Sequence, residues 1–460
     1  MASIKNLHVV ILAAGEGMRM VSKVPKVLHA LAGRPILSYV LASAFGIKPK
    51  KVIVITGQDP RVKGAVLEEY AHAKNLAIVR QDKPLGTGHA VASARKELAN
   101  ADDVLVMSGD VPLISKDALE ELISFHLREH SHATCLTARL ANPAGYGRIV
   151  RGPTNAFLKI VEEKDASLRD LQIREINSGI YLFNREALLS ALAQIQPLNL
   201  KKEYYLTDAL EILRSQNHHT VAWLSPSGDE ILGINSRVDL ARAESVLQRW
   251  RLEQLMSEGV TIPVPQSVYV EPGVRVGEDT VIYPGTILKG KTVIGKNCTL
   301  GPQMYIEDCT LGNGVKAVYS FAREVTMADF VSVGPYAHLR PGTHLASRAK
   351  VGNFTEIKAS TIGEDSKVPH LAYLGDTEVG HRCNIGAGTI TCNYDGVRKN
   401  RTVIESDALV GSNVNLIAPL RVGKNALIAA GSTITRDVPA NTLAVARSYQ
   451  IHKRRNSNNN

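Results

Sequence analysis

The first half of the chain alternates short aliphatic runs with longer amphipathic segments. Four runs predict strands: HVVILAAG from residue 8, KVIVIT from 51, ADDVLVMSGD from 101 and NSGIYLFN from 177. Between them, ILSYVLASAFGI and GHAVASARKEL have helical spacing. Continuous Val/Ile/Leu runs separated by helices predict a mainly parallel sheet covered on both faces. In such sheets ligands bind beyond the carboxyl ends of the strands.

A single amphipathic helix is predicted for residues 237–258. Leu240, Ala243 and Leu247 fall three or four residues apart among charged residues, and Gly259 is a plausible stop. We therefore expect this helix to be the spacer between two domains.

Beyond the helix, the apolar period becomes six residues. A six-residue period predicts a parallel β-helix in which each aliphatic residue points inward. Three hexads for each coil give about nine coils over 268–439, at ~4.8 Å for each coil. The period runs in three series: Val270, Val276, Ile282, Leu288, Ile294, Leu300 and Ile306; Val333, Leu339, Leu345, Val351 and Ile357; Ile404, Val410, Leu416, Val422, Ile428 and Ile434.

Interruptions of this period mark loops that can carry a site. The clearest interruption is CNYDGVRKNR at 392–401, and a shorter one is predicted around KVPHLAYLGD at 367–376. The polar end of the chain, 451–460, is expected to be disordered. The predicted domains are thus 1–236, the linker helix 237–258, the β-helix 259–450 and this tail.

Composition narrows the class of ligand. The net charge of +10 over 460 residues suits anionic ligands, and the scattered basic residues favour small molecules over nucleic acid. The first residues predict no secretory signal, and no apolar run is long enough for a membrane span. Five cysteines without a C-x-x-C pair predict free thiols in a reducing cytoplasm.

Candidate chemistry in the first half lies at predicted strand ends. Gly15 and Gly17 follow the first strand, but the loop matches neither the P-loop nor the dinucleotide fingerprint. Arg19 and Lys26 are either phosphate contacts or solvated surface charges. Asp110 is placed to hold Mg²⁺, or else to cap a helix or turn.

The β-helix contains four histidines that invite comparison with a zinc site, namely His338, His344, His370 and His381. Their spacing makes convergence on one metal ion improbable, and a neutral structural role is the ordinary alternative for each. His370 stands apart because it lies in the predicted interruption, with Tyr373 three residues later.

Motifs along nearly the whole chain resemble one bacterial family. LAAGEGMRM…VPK is similar to the nucleotide-sugar pyrophosphorylase signature, and PLGTGHA, GDVPLI, GYGRIV, IVEEKDA, EINSGIY and EYYLTD follow in that family's order. LRPG, VGNFTEIK, PHLAYLGD, NIGAGTITCNYDG and GSNVNLIAP lie in order on the hexapeptide repeats. The resemblance is to bifunctional N-acetylglucosamine-1-phosphate uridyltransferases and glucosamine-1-phosphate N-acetyltransferases. Met18 departs from it, since the family usually has threonine there.

The resemblance implies a Rossmann-like nucleotidyltransferase domain followed by a left-handed parallel β-helix, forming a cytoplasmic homotrimer. The enzyme would acetylate glucosamine-1-phosphate with acetyl-CoA and then transfer UMP from UTP, releasing pyrophosphate and supplying UDP-N-acetylglucosamine for peptidoglycan and lipopolysaccharide synthesis. Mg²⁺ would be held by Asp110 and Asn235, and Arg19 and Lys26 would neutralise charge during uridyl transfer.

The resemblance also implies the binding residues. The nucleotide would contact Leu12, Ala13, Ala14, Gly15, Gln81, Gly86, Thr87, Ser108 and Gly109, and the amino sugar Gly147, Glu162 and Asn177. In the β-helix, His370 would be the general base. The sugar phosphate would contact Arg340, Lys358, Tyr373, Asn384, Asn393 and Tyr394, and acetyl-CoA would contact Ala387, Ser412, Ala430 and Arg447.

Two rival interpretations remain open at this point. One is a single-activity sugar nucleotidyltransferase whose β-helix only assembles or regulates the protein. The other is a non-catalytic solenoid scaffold. The polar residues of the interruptions favour the two-activity enzyme, because a purely structural stack of coils has no need to interrupt itself there.

Overall fold

A computed structural model describes residues 4–15 and 17–453. The chain forms two compact units that divide between Leu247 and Gln248. Most of the tail predicted to be disordered lies outside the described residues, and its first residues, 451–453, have no regular secondary structure.

The first unit is built on a large, mostly parallel sheet. Nine strands form it, with the central order β11-β7-β10-β6-β1-β4-β5 and with β8 and β9 attached beside β10. Only β10 runs antiparallel to its neighbours β6 and β7 along this path. The strands described in this unit are β1 (Leu7–Ala13), β2 (Ala30–Leu31), β3 (Arg34–Pro35), β4 (Lys51–Thr56), β5 (Leu76–Arg80), β6 (Asp103–Ser108), β7 (Ala133–Arg139), β8 (Arg148–Arg151), β9 (Phe157–Val161), β10 (Glu175–Asn184) and β11 (Thr220–Leu224). Of these, β2 and β3 pair with each other in a separate two-stranded sheet.

Helices connect these strands, and several of them begin at a side-chain cap. The backbone N–H of Arg61 donates to Asp59 over 2.9 Å, and that of Ala118 donates to Ser115 over 3.0 Å. The helices are α1 (Ile36–Gly46), α2 (Pro60–Tyr70), α3 (Thr87–Ser93), α4 (Lys116–Arg128), α5 (Arg185–Leu192), α6 (Thr207–Ser215) and α7 (Arg237–Ser257). Short 3-10 turns lie at Met18–Met20, Lys26–Leu28, Arg95–Leu98, Glu163–Asp165, Asp170–Gln172, Asp229–Ile231 and Pro265–Ser267.

Both faces of the sheet are covered, as predicted. Val9 and Ile11 of β1 pack into one core together with Leu37 of α1. Val10, between them, points the other way and packs with Val91 of α3. Alternate residues of one strand therefore serve two separate cores, which is why β1 has no polar position between residues 9 and 13.

The second unit is a parallel β-helix. Each coil contributes one strand to each of three parallel sheets, which contain ten, nine and ten strands. The first β-helix sheet contains Tyr269–Val270, Ile287–Lys289, Tyr305–Glu307, Phe321–Arg323, His338–Leu339, Glu356–Lys358, Tyr373–Gly375, Ile390–Cys392, Asn415–Ile417 and Thr433–Ile434. The second contains Arg275–Val276, Val293–Ile294, Thr310–Leu311, Val325–Met327, Thr343–Leu345, Thr361–Ile362, Thr377–Val379, Thr402–Ile404 and Leu420–Val422. The third contains Val281–Ile282, Thr299–Leu300, Lys316–Ala317, Ser332–Val333, Lys350–Asn353, Lys367–His370, Asn384–Ile385, Leu409–Val410, Leu427–Ile428 and Leu443–Ala444.

The aliphatic residues of the six-residue period form the core of this unit. All of those predicted to point inward are buried except Val276, which is half-buried against the same core. The insertion at 392–401 also lies where it was predicted, between Cys392 and Thr402, and returns through a bridge that pairs Tyr394 with Lys399.

The interruption predicted at 367–376 is wrong. Val368 and Leu374 are both fully buried six residues apart, and the strands on which they lie pair with the coils before and after. The period is instead shortened by one residue between Ile357 and Ile362, and again between Leu374 and Val379, all of which are core residues. A coil can be one residue shorter at a corner and still keep its sheet pairing. Such a deletion shifts the six-residue repeat of apolar residues, so in the sequence it looks like an interruption.

Two further sequence predictions concern membranes and thiols. Among residues 4–15 and 17–453, no helix is long and apolar enough to cross a membrane. All five cysteines are unpaired, and all but Cys392 are buried.

Candidate active sites

The glycine loop after β1 is held tightly against the segment that carries Lys26. Gly17 has a φ of 65°, and a Cβ at this position would lie 2.5 Å from the Cβ of Lys26. Glycine alone allows this backbone conformation and this approach without strain. Arg19 lies exposed in the following 3-10 turn. Met18 in the same turn is 84% exposed, so a methionine in place of the family's threonine disturbs no packing.

Three residues predicted from separate motifs converge beside this loop. The ammonium of Lys26 forms an ion pair with Asp110 and donates a hydrogen bond of 3.1 Å to the amide oxygen of Asn235. The side chains of Lys26 and Asp110 are only 13% and 20% exposed. The backbone also joins the segments, because Ile234 N–H donates to the carbonyl of Asp110 over 2.8 Å. A carboxylate oxygen and an amide oxygen thus face one cation.

Asp110 owes its position to close contact between strand ends. The N–H of Gly109 donates to the carbonyl of Leu12 over 2.9 Å, and a Cβ on Gly109 would lie 2.7 Å from that oxygen. Ser108 is similarly close to Gly179, whose Cβ would lie 2.7 Å from the hydroxyl. The small residues Ser108 and Gly109 therefore allow the carboxylate of Asp110 to lie beside the glycine loop that follows β1.

A cavity of about 310 Å³ opens at the carboxyl end of β1. Four of the predicted nucleotide contacts line it, and Lys23, Gln58 and Asp59 supply further polar groups. The four are Ala13, Ala14, Gly15 and Gln81.

The predicted nucleotide contacts Gln81, Gly86 and Thr87 are held in place by hydrogen bonds and close backbone packing. Gln81 is 5% exposed, and its amide nitrogen donates to the carbonyl of Gly86 over 3.2 Å. The hydroxyl of Thr87 accepts from Leu206 N–H over 3.0 Å. Gly86 has a φ of 109°, and a Cβ would lie 2.6 Å from the carbonyl of Tyr204. The segment around Gly86 and Thr87 is therefore held in one conformation at the position where a planar base would bind.

The three predicted amino-sugar residues also come together. A Cβ on Gly147 would lie 3.4 Å from a carboxylate oxygen of Glu162 and 3.5 Å from the Cβ of Asn177. Asn177 donates to the hydroxyl of Tyr181 over 2.7 Å, while its oxygen accepts from Gly179 N–H over 3.1 Å. Its amide is thus held in one orientation.

Acidic side chains surround this pocket. Burial, opposed by Lys201 and reinforced by the nearby carboxylates of Asp165 and Asp208, raises the pKa of Glu162. Burial and the carboxylates of Glu211 and Asp165 raise the pKa of Asp208 to about 6. The pocket favours groups that donate hydrogen bonds, as sugar hydroxyls do.

In the β-helix, predicted sugar-phosphate residues occupy one sheet. Arg340 donates to Glu356 over 2.7 Å, and Lys358 lies one coil further on, paired with Gly375. A Cβ on Gly375 would lie 2.5 Å from the hydroxyl of Tyr373 and 2.7 Å from the amide nitrogen of Asn393. Arg340, Lys358, Tyr373 and Asn393 therefore share the first β-helix sheet and its insertion.

Sequence reasoning gave no binding role to two members of this cluster. Lys399, in the insertion, stands beside Lys358 and lowers its pKa, together with desolvation and Arg340, while Asp376 acts in the opposite direction. Asp376 also accepts a hydrogen bond of 2.5 Å from the amide of Asn393. The sequence does carry a signal for Lys399, because the predicted insertion contains three basic residues at its far end, Arg398, Lys399 and Arg401.

His370 ends a strand of the third β-helix sheet, at a corner. Its Nδ1 lies 2.5 Å from the amide oxygen of Asn353, directly across in the preceding coil. Since an amide oxygen only accepts, Nδ1 carries the proton and Nε2 is left as a bare acceptor. This arrangement defines the tautomer that a general base requires.

The predicted acetyl-CoA residues continue the corner that starts at His370. Backbone hydrogen bonds of 2.7–2.8 Å join it from coil to coil: Gly388 N–H to Leu371, Asn413 N–H to Ala387, and Gly431 N–H to Ser412. Ala430 receives a hydrogen bond of 2.9 Å from the guanidinium of Arg447. His370, Ala387, Ser412 and Ala430 thus occupy one corner in successive coils.

Of the remaining two predicted sugar-phosphate residues, one lies on a different sheet and the other lies on the exposed insertion. Asn384 is on the third β-helix sheet, opposite Lys367, and lines a cavity of about 660 Å³ together with Arg348 and Lys350. Tyr394, 62% exposed, donates to the carbonyl of Gly396 within its own loop. One chain therefore does not bring all the predicted sugar-phosphate residues to one surface.

Comparison with known proteins relates the two units of the chain to different families. Residues 9–217 match the MobA-like NTP transferase domain, and residues 401–436 match the hexapeptide repeat of succinyl-transferase. The bifunctional protein GlmU of Carboxydothermus hydrogenoformans is 47% identical over 96% of this chain and 98% of its own. Those of Syntrophomonas wolfei and a Geobacillus species are 44% and 46% identical, over 97% of this chain and 98% and 96% of theirs.

The fold and the matches define the class as a sugar nucleotidyltransferase joined to a hexapeptide-repeat acyltransferase. The chain belongs to the GlmU family of bifunctional proteins. The predicted fold, a Rossmann-like domain followed by a left-handed parallel β-helix, is confirmed. The predicted enzyme class, with uridyltransferase and acetyltransferase activities in the synthesis of UDP-N-acetylglucosamine, is confirmed as well, and both rival interpretations are set aside.

Proposed function

We propose that the first unit transfers UMP at the group formed by Lys26, Asp110 and Asn235. An oxygen of N-acetylglucosamine-1-phosphate attacks the α-phosphorus of UTP in line, the bond to the β-phosphate oxygen breaks, and pyrophosphate leaves. The protein contributes positioning and charge neutralisation. Lys26, held by two oxygens, and Arg19, in the exposed turn, are the cations that would neutralise the phosphate charge. The convergence of Lys26 with Asp110 and Asn235 is the observation that carries this assignment.

Asp110 and Asn235 would hold Mg²⁺ in this site. Their donor set fits, because Mg²⁺ takes one or two protein oxygens and completes its shell with water and phosphate oxygens. Within the described ranges no group of three His, Cys, Asp or Glu side chains could hold a metal by itself, which also suits an ion shared with a substrate. When bound, the ion neutralises phosphate charge. The chain's own residues orient the nucleotide: Gly15 and Gly17 through the loop backbone, Gln81 and Thr87 at the base.

The pocket of Gly147, Glu162 and Asn177 would receive the amino sugar. Glu162 and the oriented amide of Asn177 offer acceptors and a donor to its hydroxyl and acetamido groups. Glycine at 147 leaves the room that a side chain would take.

The second unit would acetylate glucosamine-1-phosphate. The amine nitrogen attacks the thioester carbon of acetyl-CoA and its proton passes to Nε2 of His370. The C–S bond then breaks, and the CoA thiolate takes this proton and leaves as the thiol. Arg340, Lys358, Tyr373, Asn393 and Tyr394 would bind the sugar phosphate with Asn384, and acetyl-CoA would lie along the corner of Ala387, Ser412 and Ala430, with Arg447 at its end. The hydrogen bond between His370 and Asn353 carries this assignment, since it leaves Nε2 free to accept the proton.

A homotrimer and a cytoplasmic location complete the proposal. The separation of Asn384 from the Arg340 sheet supports sites assembled between chains. Five unpaired cysteines support a reducing compartment.

Separate assays of the two reactions on one preparation test the proposal. Uridyl transfer is measured as pyrophosphate release and acetyl transfer as free CoA. We expect Lys26→Ala to abolish the first and spare the second, and His370→Ala to do the reverse. Loss of both reactions in either soluble variant would contradict the assignment.

A further inference from the structure

A second cavity of the first unit lies at the edge of the sheet opposite the glycine loop. Its volume is about 330 Å³, and it opens around the amino ends of β1, β4 and β5. These three strands are parallel, so their carboxyl ends, where the nucleotide loop lies, are at the other edge. The charged residues of the lining are four lysines and one glutamate, Lys50, Lys51, Lys74, Lys96 and Glu97.

Most of this positive charge is not neutralised. Lys51 forms an ion pair of 2.5 Å with Glu97, the one carboxylate of the lining. Across residues 4–15 and 17–453, Lys50, Lys74 and Lys96 take part in no ion pair with a carboxylate. Three like charges around one concave surface repel one another, and an anion between them relieves that repulsion.

A buried histidine, His8, reaches this cavity from β1. Its side chain lines the cavity although the residue is only 4% exposed. Nδ1 donates to the carbonyl of Glu97 over 3.1 Å, and Nε2 has no hydrogen-bond partner among the residues that the structure describes. A ring nitrogen left without a partner in a basic cavity is the feature that a solvated lysine patch would lack.

The protonation of His8 depends on what the cavity holds. Burial lowers its pKa, and the charge of Lys51 acts in the same direction, whereas the carbonyl of Glu97 and the charges of Asp102 and Glu97 oppose them. Without an anion, Nε2 is therefore an unprotonated acceptor near neutral pH. An anion beside it favours the imidazolium, whose Nε2–H can donate to an anionic oxygen.

We propose that this cavity binds a small multivalent phosphate, at a site distinct from the nucleotide loop. The three unpaired lysines supply point charges for the phosphate oxygens, as lysine commonly does. His8 supplies a hydrogen bond from Nε2 once it is protonated. Binding is accordingly coupled to uptake of a proton, and the affinity rises as the pH falls through the titration range of histidine.

Inorganic pyrophosphate is the probe. It is titrated calorimetrically into the full chain at low ionic strength and without divalent metal, and the titration is repeated on Lys26→Ala, because pyrophosphate is also the product released at the nucleotide loop. We expect one pyrophosphate bound by each chain. Changing Lys50, Lys74 and Lys96 together to glutamine weakens this binding at least tenfold.

A matched control removes the same charge elsewhere. Lys63, Lys159 and Lys202 are exposed lysines outside the cavity, and their triple change to glutamine should alter the affinity less than twofold. Equal weakening in both triple variants, or in neither, overturns the proposal. The outcome is independent of the nucleotide site, because a Lys26→Ala variant should still bind pyrophosphate at the cavity.

Proton uptake tests the role of His8 separately. Titrations at pH 7 in two buffers of different ionisation enthalpy should show protons taken up by the wild type. His8→Gln should abolish this uptake while retaining weaker binding. Binding without proton uptake in the wild type would show that His8 is not a ligand.

Discussion

The ammonium of Lys26 donates a 3.1 Å hydrogen bond to the amide oxygen of Asn235, 209 residues later in the chain, while it pairs with the carboxylate of Asp110. The three side chains come from the loop after β1, the end of β6 and the segment before α7. This contact brings together residues of three motifs that lie far apart in the sequence. It places the cation of the loop and the oxygens proposed for Mg²⁺ within one hydrogen-bonded group.

Substitution at Asp110 should separate the two reactions. Asp110→Ala removes the only charged oxygen of the group, so we expect uridyl transfer to fall at least 100-fold, in the range seen when one electrostatic partner of a transferring group is lost. Asn235→Ala should act in the same direction but less, because a neutral amide is the weaker ligand. The measurement is pyrophosphate release at several Mg²⁺ concentrations.

Acetyl transfer is the control for both variants. It depends on the β-helix and should remain within twofold of the wild type. A variant that loses both reactions while still soluble would indicate misfolding, and the assignment of Asp110 would then fail.

The division between Leu247 and Gln248 predicts that the two reactions can be separated physically. A fragment of residues 1–247 contains the whole sheet, both of its cores and the Lys26 group. We expect it to be folded by circular dichroism and to retain uridyl transfer, while sedimentation shows a monomer without acetyl transfer. A folded fragment inactive with UTP and N-acetylglucosamine-1-phosphate would refute the proposed location of the first site.

The spacing of apolar residues predicted the fold well, because each kind of spacing is typical of one structure. A six-residue spacing is typical of a parallel β-helix, and an unbroken aliphatic run is typical of a strand covered on both faces. Residues such as Ile282 and Leu300 repeat at six and are buried, and Val9 to Ile11 form an unbroken apolar run because both faces of β1 are covered. Prediction failed at 367–376, because the period is shortened by one residue on either side of this segment, between Ile357 and Ile362 and between Leu374 and Val379. A strict count of six cannot distinguish a missing corner residue from a loop.

Site residues were predictable where a motif carries them and not where folding brings them together. His370 was found by its motif, but its partner Asn353 was not, since only the register of adjacent coils sets them opposite. Lys399 was likewise hidden, because its approach to Lys358 depends on how the insertion folds back. His8 had no signal, being one polar residue at the start of an apolar strand.

Stability should depend on pH through Asp208. Burial and nearby carboxylates raise its pKa to about 6 in the folded protein, above the unfolded value of ~3.9. The folded state therefore binds more protons, and the stability present at acid pH is lost as the pH rises through 6. Asp208→Asn removes this loss. Above pH 7 we expect a gain of about 1 kcal/mol, after allowing for solvent screening of a half-buried group.

Calorimetric unfolding at pH 4 and pH 8 checks this dependence. The difference between Asp208→Asn and the wild type should be present at pH 8 and absent at pH 4. Glu211→Gln, which removes one of the neighbouring carboxylates, should give a smaller change with the same sign. A variant that is less stable than the wild type at pH 8 would contradict the prediction.

The contact between His370 and Asn353 should control acetyl transfer. His370→Ala removes the proposed base and should lower the rate about 10²–10⁴-fold, the usual contribution of a positioned general base. Asn353→Leu removes the acceptor that keeps the proton on Nδ1, so a fraction of the rings will present Nε2–H and fail to accept the amine's proton. We expect a smaller fall, of about tenfold, in turnover with acetyl-CoA saturating.

Asn353→Asp keeps an acceptor oxygen opposite Nδ1 and should retain more activity than Asn353→Leu, whereas a purely packing role predicts the same loss for both. Uridyl transfer, unchanged in all three variants, confirms that the chain is folded, and near-normal acetyl transfer in His370→Ala would exclude the histidine as the base.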